Sequence, residues 1–209
     1  MLTTLAMFVV GVAVFAYART NGRSLDLDGD RIVLRQDLGY FLAMYALAMG
    51  AGLLHVRALN WLLAVVLVVG YGFYVRRHFQ APVAEGLTPE AKDEVKPLYA
   101  SALLRGPRHE LPEKFNSVIW VRRRRDTLAL GNMTGAMVFQ SSFPVTVGLL
   151  LTPWHLAHEA LVAGAIALAA GMVLYLTIRV RGRFSAPLLL VQGGFYATYL
   201  VYVLTRRGA

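Results

Sequence analysis

The sequence predicts an all-α integral membrane protein of about six transmembrane helices, and three observations lead there. The 209 residues are 57% hydrophobic and only 16% charged, with a mean hydropathy of +0.53, too apolar for an ordinary water-soluble domain. The apolar residues fall into six runs of helix-spanning length without the alternation of a barrel strand. The basic residues behind the net charge of +9 stand in clumps at the ends of those runs, as in Arg76-Arg77, Arg122 to Arg125, Arg179-Arg181-Arg183 and Arg206-Arg207. That is the pattern of loops held on the cytoplasmic side, and it argues against a nucleic-acid partner. Cysteine is absent, which excludes disulfides, thiolate catalysis and Cys-ligated zinc.

The first run, Leu2 to Ala18, has the length of a span. Arg19 follows it where a signal peptide carries its charge in front, so the run is expected to stay in the membrane. Its start at Met1 leads us to expect further sequence upstream. The segment from Arg19 to Asp37 holds Asp26-Leu27-Asp28-Gly29-Asp30, with the spacing of an EF-hand loop, but Arg31 occupies the sixth position, where the sharp turn needs glycine. It is expected to be a solvated linker in which acids and arginines balance.

Gly39 to Val56 and Leu59 to Val75 form the next two spans, joined closely enough to be an antiparallel hairpin, and apart from His55 at a helix end neither run holds a residue expected to carry charge. Tyr40, Tyr45, Trp61, Tyr71 and Tyr74 near their ends suggest an aromatic belt. His55, at a helix end, is taken as an interfacial side chain. Residues 77–108 are polar and contain proline, which marks a cytoplasmic linker between an N-terminal membrane region (1–76) and a C-terminal one (109–209). Within the linker, Thr88-Pro89-Glu90 predicts a short surface helix from Pro89 to about Val95.

Functional chemistry concentrates between His109 and Gln140. A helix opened by Pro112 places Glu110, Glu113, Asn116 and Ser117 on one oxygen-rich face. Basic sequence stands at both ends of this segment, so it is expected to lie at the cytoplasmic interface or re-enter the bundle without crossing. Gly131 and Gly135 form a GxxxG step, on whose face, with Asn132 and Ala136, a second backbone is expected to approach closely. The span from Thr127 to Leu151 is expected to be interrupted at Pro144. Leu156 to Ile178 and Ala186 to Leu204 complete the set, and His155, His158 and Glu159 read as a wet helix start rather than a metal trio. The loops at 19–37, 76–107, 122–125 and 179–183 then share one side, and the turns near Arg57 and Pro153 share the other.

Leu111-Pro112-Glu113, the basic run Arg122 to Arg125, and Gly131-Asn132-Met133-Thr134-Gly135-Ala136 together resemble the repeat motif of the calcium:cation antiporter superfamily, the sodium/calcium exchangers. That motif runs Thr-Ser-Leu-Pro-Glu, a short basic stretch, then Gly-Asn-x-x-Gly-Ser-Asn. His109 and Glu110 stand where the family has Thr and Ser, and Ala136 and Met137 where it has Ser and Asn. The resemblance covers mainly the second repeat and the C-terminal half of the fold. It implies part of an inverted-repeat fold in which Glu113 is the ion-coordinating carboxylate and Asn132 the polar ligand on the next helix, with Glu110, Asn116 and Ser117 as neighbouring oxygens. The implied function is antiport of calcium or a related cation against sodium or protons at the cell (inner) membrane. These ions are substrates; no cofactor is implied and no enzymatic activity. The implied partners are the bilayer, inorganic cations, and a second copy or missing half, because only one of the two repeats is visible. The alternative from another class is a non-transporting membrane scaffold or assembly subunit, in which Glu113 is only an interfacial acid.

Overall fold

The computed structural model describes residues 2–54, 56–80 and 110–207. The helix expected from Pro89 to Val95, and His55, lie outside the described residues.

Among the described residues the elements run α1 (Leu2–Asn21), β1 (Asp26–Leu27), α2 (Arg31–Leu54), α3 (Arg57–Gln80), α4 (Glu110–Arg122), α5 (Asp126–Leu151), α6 (His158–Arg181), β2 (Phe184–Ser185) and α7 (Ala186–Arg207). All but α4 among the helices are long and apolar enough to cross a membrane, at the six places the hydropathy predicts. The bilayer demands this, because only a helix or a closed barrel satisfies its own backbone in lipid. The one strand pairing among the described residues joins two loops, with Asp26 opposite Ser185 and Leu27 opposite Phe184.

α5 is the central helix. It packs against α2, α3 and α4, and buries Leu130, Met133, Met137, Val138, Val145 and Leu149 along its whole length. Expected to break at Pro144, it instead runs on as one helix. Ser142 donates to Val138 O at 2.7 Å and Thr146 to Ser142 O at 2.9 Å, so side-chain hydroxyls follow the helical carbonyls through the proline turn.

α2 begins eight residues before the apolar run that announced it. Asp30 caps it, its Oδ1 accepting the N–H groups of Ile32 (2.8 Å) and Val33 (3.2 Å), and Leu34 and Leu38, four apart, are both buried. The extension places Asp37 inside a helix of spanning length, so the expectation that this span carries no charged residue is corrected. The segment before it is not a solvated linker either. Leu27 is buried, Arg23 pairs with Asp126 and donates to Val121 O, and Arg183 Nη1 meets Asp26 Oδ2 at 2.9 Å.

Three of the four basic loops meet physically at one end of the bundle. Arg23 reaches the turn after α4, Asp26 pairs with Arg183, and Arg31 Nη2 donates to Arg179 O at 3.0 Å. At the other end Arg57 donates to Thr152 O at 3.4 Å, and the Trp154 indole N–H donates to Ala48 O at 3.1 Å. The grouping of loops read from basic clusters therefore agrees with the contacts.

The tyrosines expected as an aromatic belt face inward in part. Tyr74 is buried, edge-on to Tyr40 with ring centroids 5.4 Å apart, and Tyr71 packs on Tyr74 and Phe139. Trp61 alone of that set is strongly exposed, as a lipid-facing ring should be.

Candidate cation site

α4 and α5 form a helical hairpin closed by the arginine run. Arg123 N–H bonds Ile119 O, Arg124 N–H bonds Val121 O, and Arg125 N–H bonds Trp120 O at 2.8 Å, with Arg124 in the left-handed region at φ 58°. The buried Arg23–Asp126 pair ties this turn to the loop after α1, and Asp126 Oδ2 also accepts the Asp28 N–H at 3.3 Å. The apolar side chains that seat α4 in the bundle are Val121, which is fully buried, and the partly buried Val118 and Trp120.

From the basic end α4 runs back beside the first half of α5. Its 13 residues measure about 20 Å at 1.5 Å per residue, short of a hydrocarbon core about 30 Å thick. The helix packs between α1 and α5.

The hairpin brings two of the expected site residues together. Asn132 Nδ2 donates to Ser117 Oγ at 3.1 Å, with Ser117 1% exposed and Asn132 half-buried. Asn116 is half-buried on the same helix. Glu110 and Glu113 belong to the backbone of α4, Glu113 one turn before Ser117, and their side chains lie outside the described residues.

The glycine step behaves differently from expectation. Among the described residues nothing lies within 4 Å of a Cβ added at Gly131, and at Gly135 the nearest atom is the Tyr74 hydroxyl oxygen, 3.6 Å away. Among the described residues no backbone lies within 4 Å of a Cβ at either glycine. The close backbone contact is at Gly11 of α1, where an added Cβ meets Leu189 Cβ at 2.8 Å and Leu190 N at 3.0 Å of α7.

A second polar cluster lies on α5, two residues beyond Asn132, and the hydropathy reading missed it. Thr134 Oγ1 donates to Asp37 Oδ2 at 2.6 Å, and His78 Nε2 of α3 stands 3.3 Å from Asp37 Oδ1. Asp37 is 1% exposed. The signal available in sequence was Asp30, a residue able to cap a helix, followed by Leu34 and Leu38 at helical spacing. Elsewhere, His158 Nδ1 hydrogen-bonds the Tyr202 hydroxyl at 2.7 Å across α6 and α7. Among the described residues no group of three His, Cys, Asp or Glu side chains is placed to hold a metal.

Residues 94–205 match the family described as "Sodium/calcium exchanger protein", a stretch that takes in α4 to α7 and covers more than half of the chain. No curated protein and no solved structure matches the chain.

Proposed function

The chain belongs to the sodium/calcium exchanger family, and on that premise we propose that it acts as a cation antiporter, exchanging calcium or a related cation for sodium or protons. The contact between Asn132 and Ser117 carries this reading, because it unites the two halves of the motif on adjacent helices of one hairpin. A site of this type needs fixed oxygens and one charge inside the membrane region, where an ionisable group is otherwise costly. Ser117 Oγ and Asn132 Oδ1 supply neutral oxygens, Asn116 and Glu110 stand on the same helix as further donors, and Glu113, one helical turn from Ser117, supplies the negative charge.

Calcium takes six to eight oxygens, more than these residues hold. We propose that the remaining ligands come from a second copy or from a partner carrying the other repeat, and that the assembly resides in the cell (inner) membrane with the Arg122–Arg125 end in the cytoplasm. Alternating access then exposes the Glu113 carboxylate to each side in turn.

The test is calcium uptake into sodium-loaded vesicles containing the purified chain. Glu113→Gln keeps the side chain's size and removes the charge, so uptake is expected to fall to the level of empty vesicles while insertion is unchanged. Equal uptake by both proteins would remove Glu113 from the site. Wild-type uptake no greater than that of empty vesicles favours the scaffold reading or an absent second half, which coexpression with a candidate partner distinguishes.

A further inference from the structure

The Asp37 cluster belongs to none of the motif residues, and its geometry describes a different ligand. It is built by three helices: Asp37 from α2, Tyr74 and His78 from α3, and Thr134 from α5. The carboxylate is buried, whereas the His78 side chain is 31% exposed, near the end of α3, so the imidazole stands between the carboxyl group and the outside of the bundle. Asp37 Oδ1 lies 3.3 Å from His78 Nε2, and the Tyr74 hydroxyl is a further hydrogen-bonding group beside the carboxyl.

The hydroxyl of Thr134 decides which ligand fits. It has one proton and two good acceptors within reach, Asp37 Oδ2 at 2.6 Å and Leu130 O at 3.1 Å. With Asp37 ionised, the Thr134 hydroxyl donates its hydrogen bond to the carboxylate. With Asp37 protonated, the acid donates to Thr134 Oγ1 and Thr134 turns its own proton to Leu130 O. Both states are fully bonded at the carboxyl oxygen that faces Thr134. Two neutral oxygens and one carboxylate do not make a cage for a hard divalent ion, whereas a single proton finds a bonded place in this pair.

We propose that Asp37 and His78 form a proton-binding site separate from the motif, in which His78 passes a proton between the aqueous end of the bundle and the buried carboxyl group. The step is balanced. The imidazolium N–H at Nε2 breaks, the O–H at Asp37 Oδ1 forms, and the imidazole is left neutral to take the next proton from water. Rotation of the carboxyl group about its Cβ–Cγ bond then brings that O–H to the Thr134 side, where it donates to Thr134 Oγ1, and the Thr134 hydroxyl turns to Leu130 O within the helical turn that carries Asn132. Other titratable or charged groups near Asp37 are few. From α3 the partner besides His78 is Tyr74, whose ring centroid is 4.4 Å from that of His78. From α6 Tyr175 lies against Gly39, while Arg35, Arg76 and Arg77 are exposed.

Infrared difference spectra of the protein in lipid, recorded across a series of pH values, test this without any transport assay. The wild type is expected to gain the carbonyl stretch of a buried carboxylic acid as pH falls. That band is expected to be lost in Asp37→Asn and kept in Glu159→Gln. In His78→Gln, which alters a partly exposed side chain and leaves Asp37 in place, the pH at which the band appears is expected to change, because the titratable group facing the carboxyl is gone. Absence of the band in the wild type, its survival in Asp37→Asn, or an unchanged titration in His78→Gln would each overturn the proposal. If Asp37→Asn does not fold, the His78→Gln titration alone decides.

Discussion

The two polar contacts made by α5 differ in origin and in charge. Toward α4, Asn132 meets Ser117 across a hairpin turn, two neutral groups 15 residues apart in the chain. Toward α2, two residues further along, Thr134 meets Asp37 across 97 residues, and one partner is an acid. The first contact follows from chain connectivity, because a helix that turns back on itself must bring such residues together. The second exists only once separate parts of the bundle have assembled. A membrane protein can thus carry a family's motif on a local hairpin while a further buried acid, Asp37, comes from a helix outside the matched stretch, which begins at residue 94.

Holding the hairpin in place is the task of Arg23, and its loss should have the largest effect. The Arg23 and Asp126 side chains are 7% and 9% exposed, and Arg23 also donates to Val121 O at the end of α4. Arg23→Ala leaves the Asp126 carboxylate buried without its cation, and breaking such a pair costs about 3–5 kcal/mol. The variant is expected to unfold at clearly lower denaturant in micelles. The Asn132–Ser117 contact should loosen while Thr134 and Asp37 stay together, a distinction that cysteine cross-linking in this cysteine-free chain can report. Loss of both contacts at once would show that the two faces of α5 are not independent.

The same contrast explains what the sequence made legible. Six spans were readable because lipid imposes a length and an apolar composition, and the hairpin was readable because proline, arginines and glycines punctuate it. Asp37 was hidden by the rule that found the spans. Arg31, Arg35 and Asp37 lower the hydropathy of the first two turns of α2, so the apolar run starts only at Gly39, although Asp30 supplies a cap and Leu34 and Leu38 already face the core. The role of Arg23 was hidden for another reason. Charge balance in a segment does not tell which acid an arginine will find, and here it finds Asp126, 103 residues away.

Two substitutions on α5 put the comparison in numbers. Thr134→Val keeps the shape of the side chain but strands a buried carboxylate oxygen, an effect of about 1–3 kcal/mol. Asn132→Ala removes one interhelical amide contact, for which membrane proteins average about 0.6 kcal/mol. Thr134→Val is therefore expected to be the more destabilising in chemical unfolding, although Asn132 belongs to the motif and Thr134 fills one of its variable positions. For calcium uptake the order is expected to reverse, with Asn132→Ala the more damaging of the two and Glu113→Gln beyond both. The same order in both measurements would mean that the two contacts serve a single purpose.

The smallest effect is expected at Gly131, where the motif and the packing part company. A glycine conserving room for a neighbouring backbone loses stability when a methyl group is added, but no described atom lies within 4 Å of that methyl at Gly131. What remains is the intrinsic cost of glycine in a helix, so Gly131→Ala is expected to stabilise the bundle by about 0.5–1 kcal/mol. Gly11→Ala is the control, since its methyl is driven to 2.8 Å from Leu189 Cβ and 3.0 Å from Leu190 N, and α1 must move away from α7 to admit it. Unfolding midpoints of the two variants should therefore move in opposite directions. If Gly131→Ala also lowers the midpoint, the face of α5 that carries Asn132 is covered after all, and the second half of the cation site is the first place to look for what covers it.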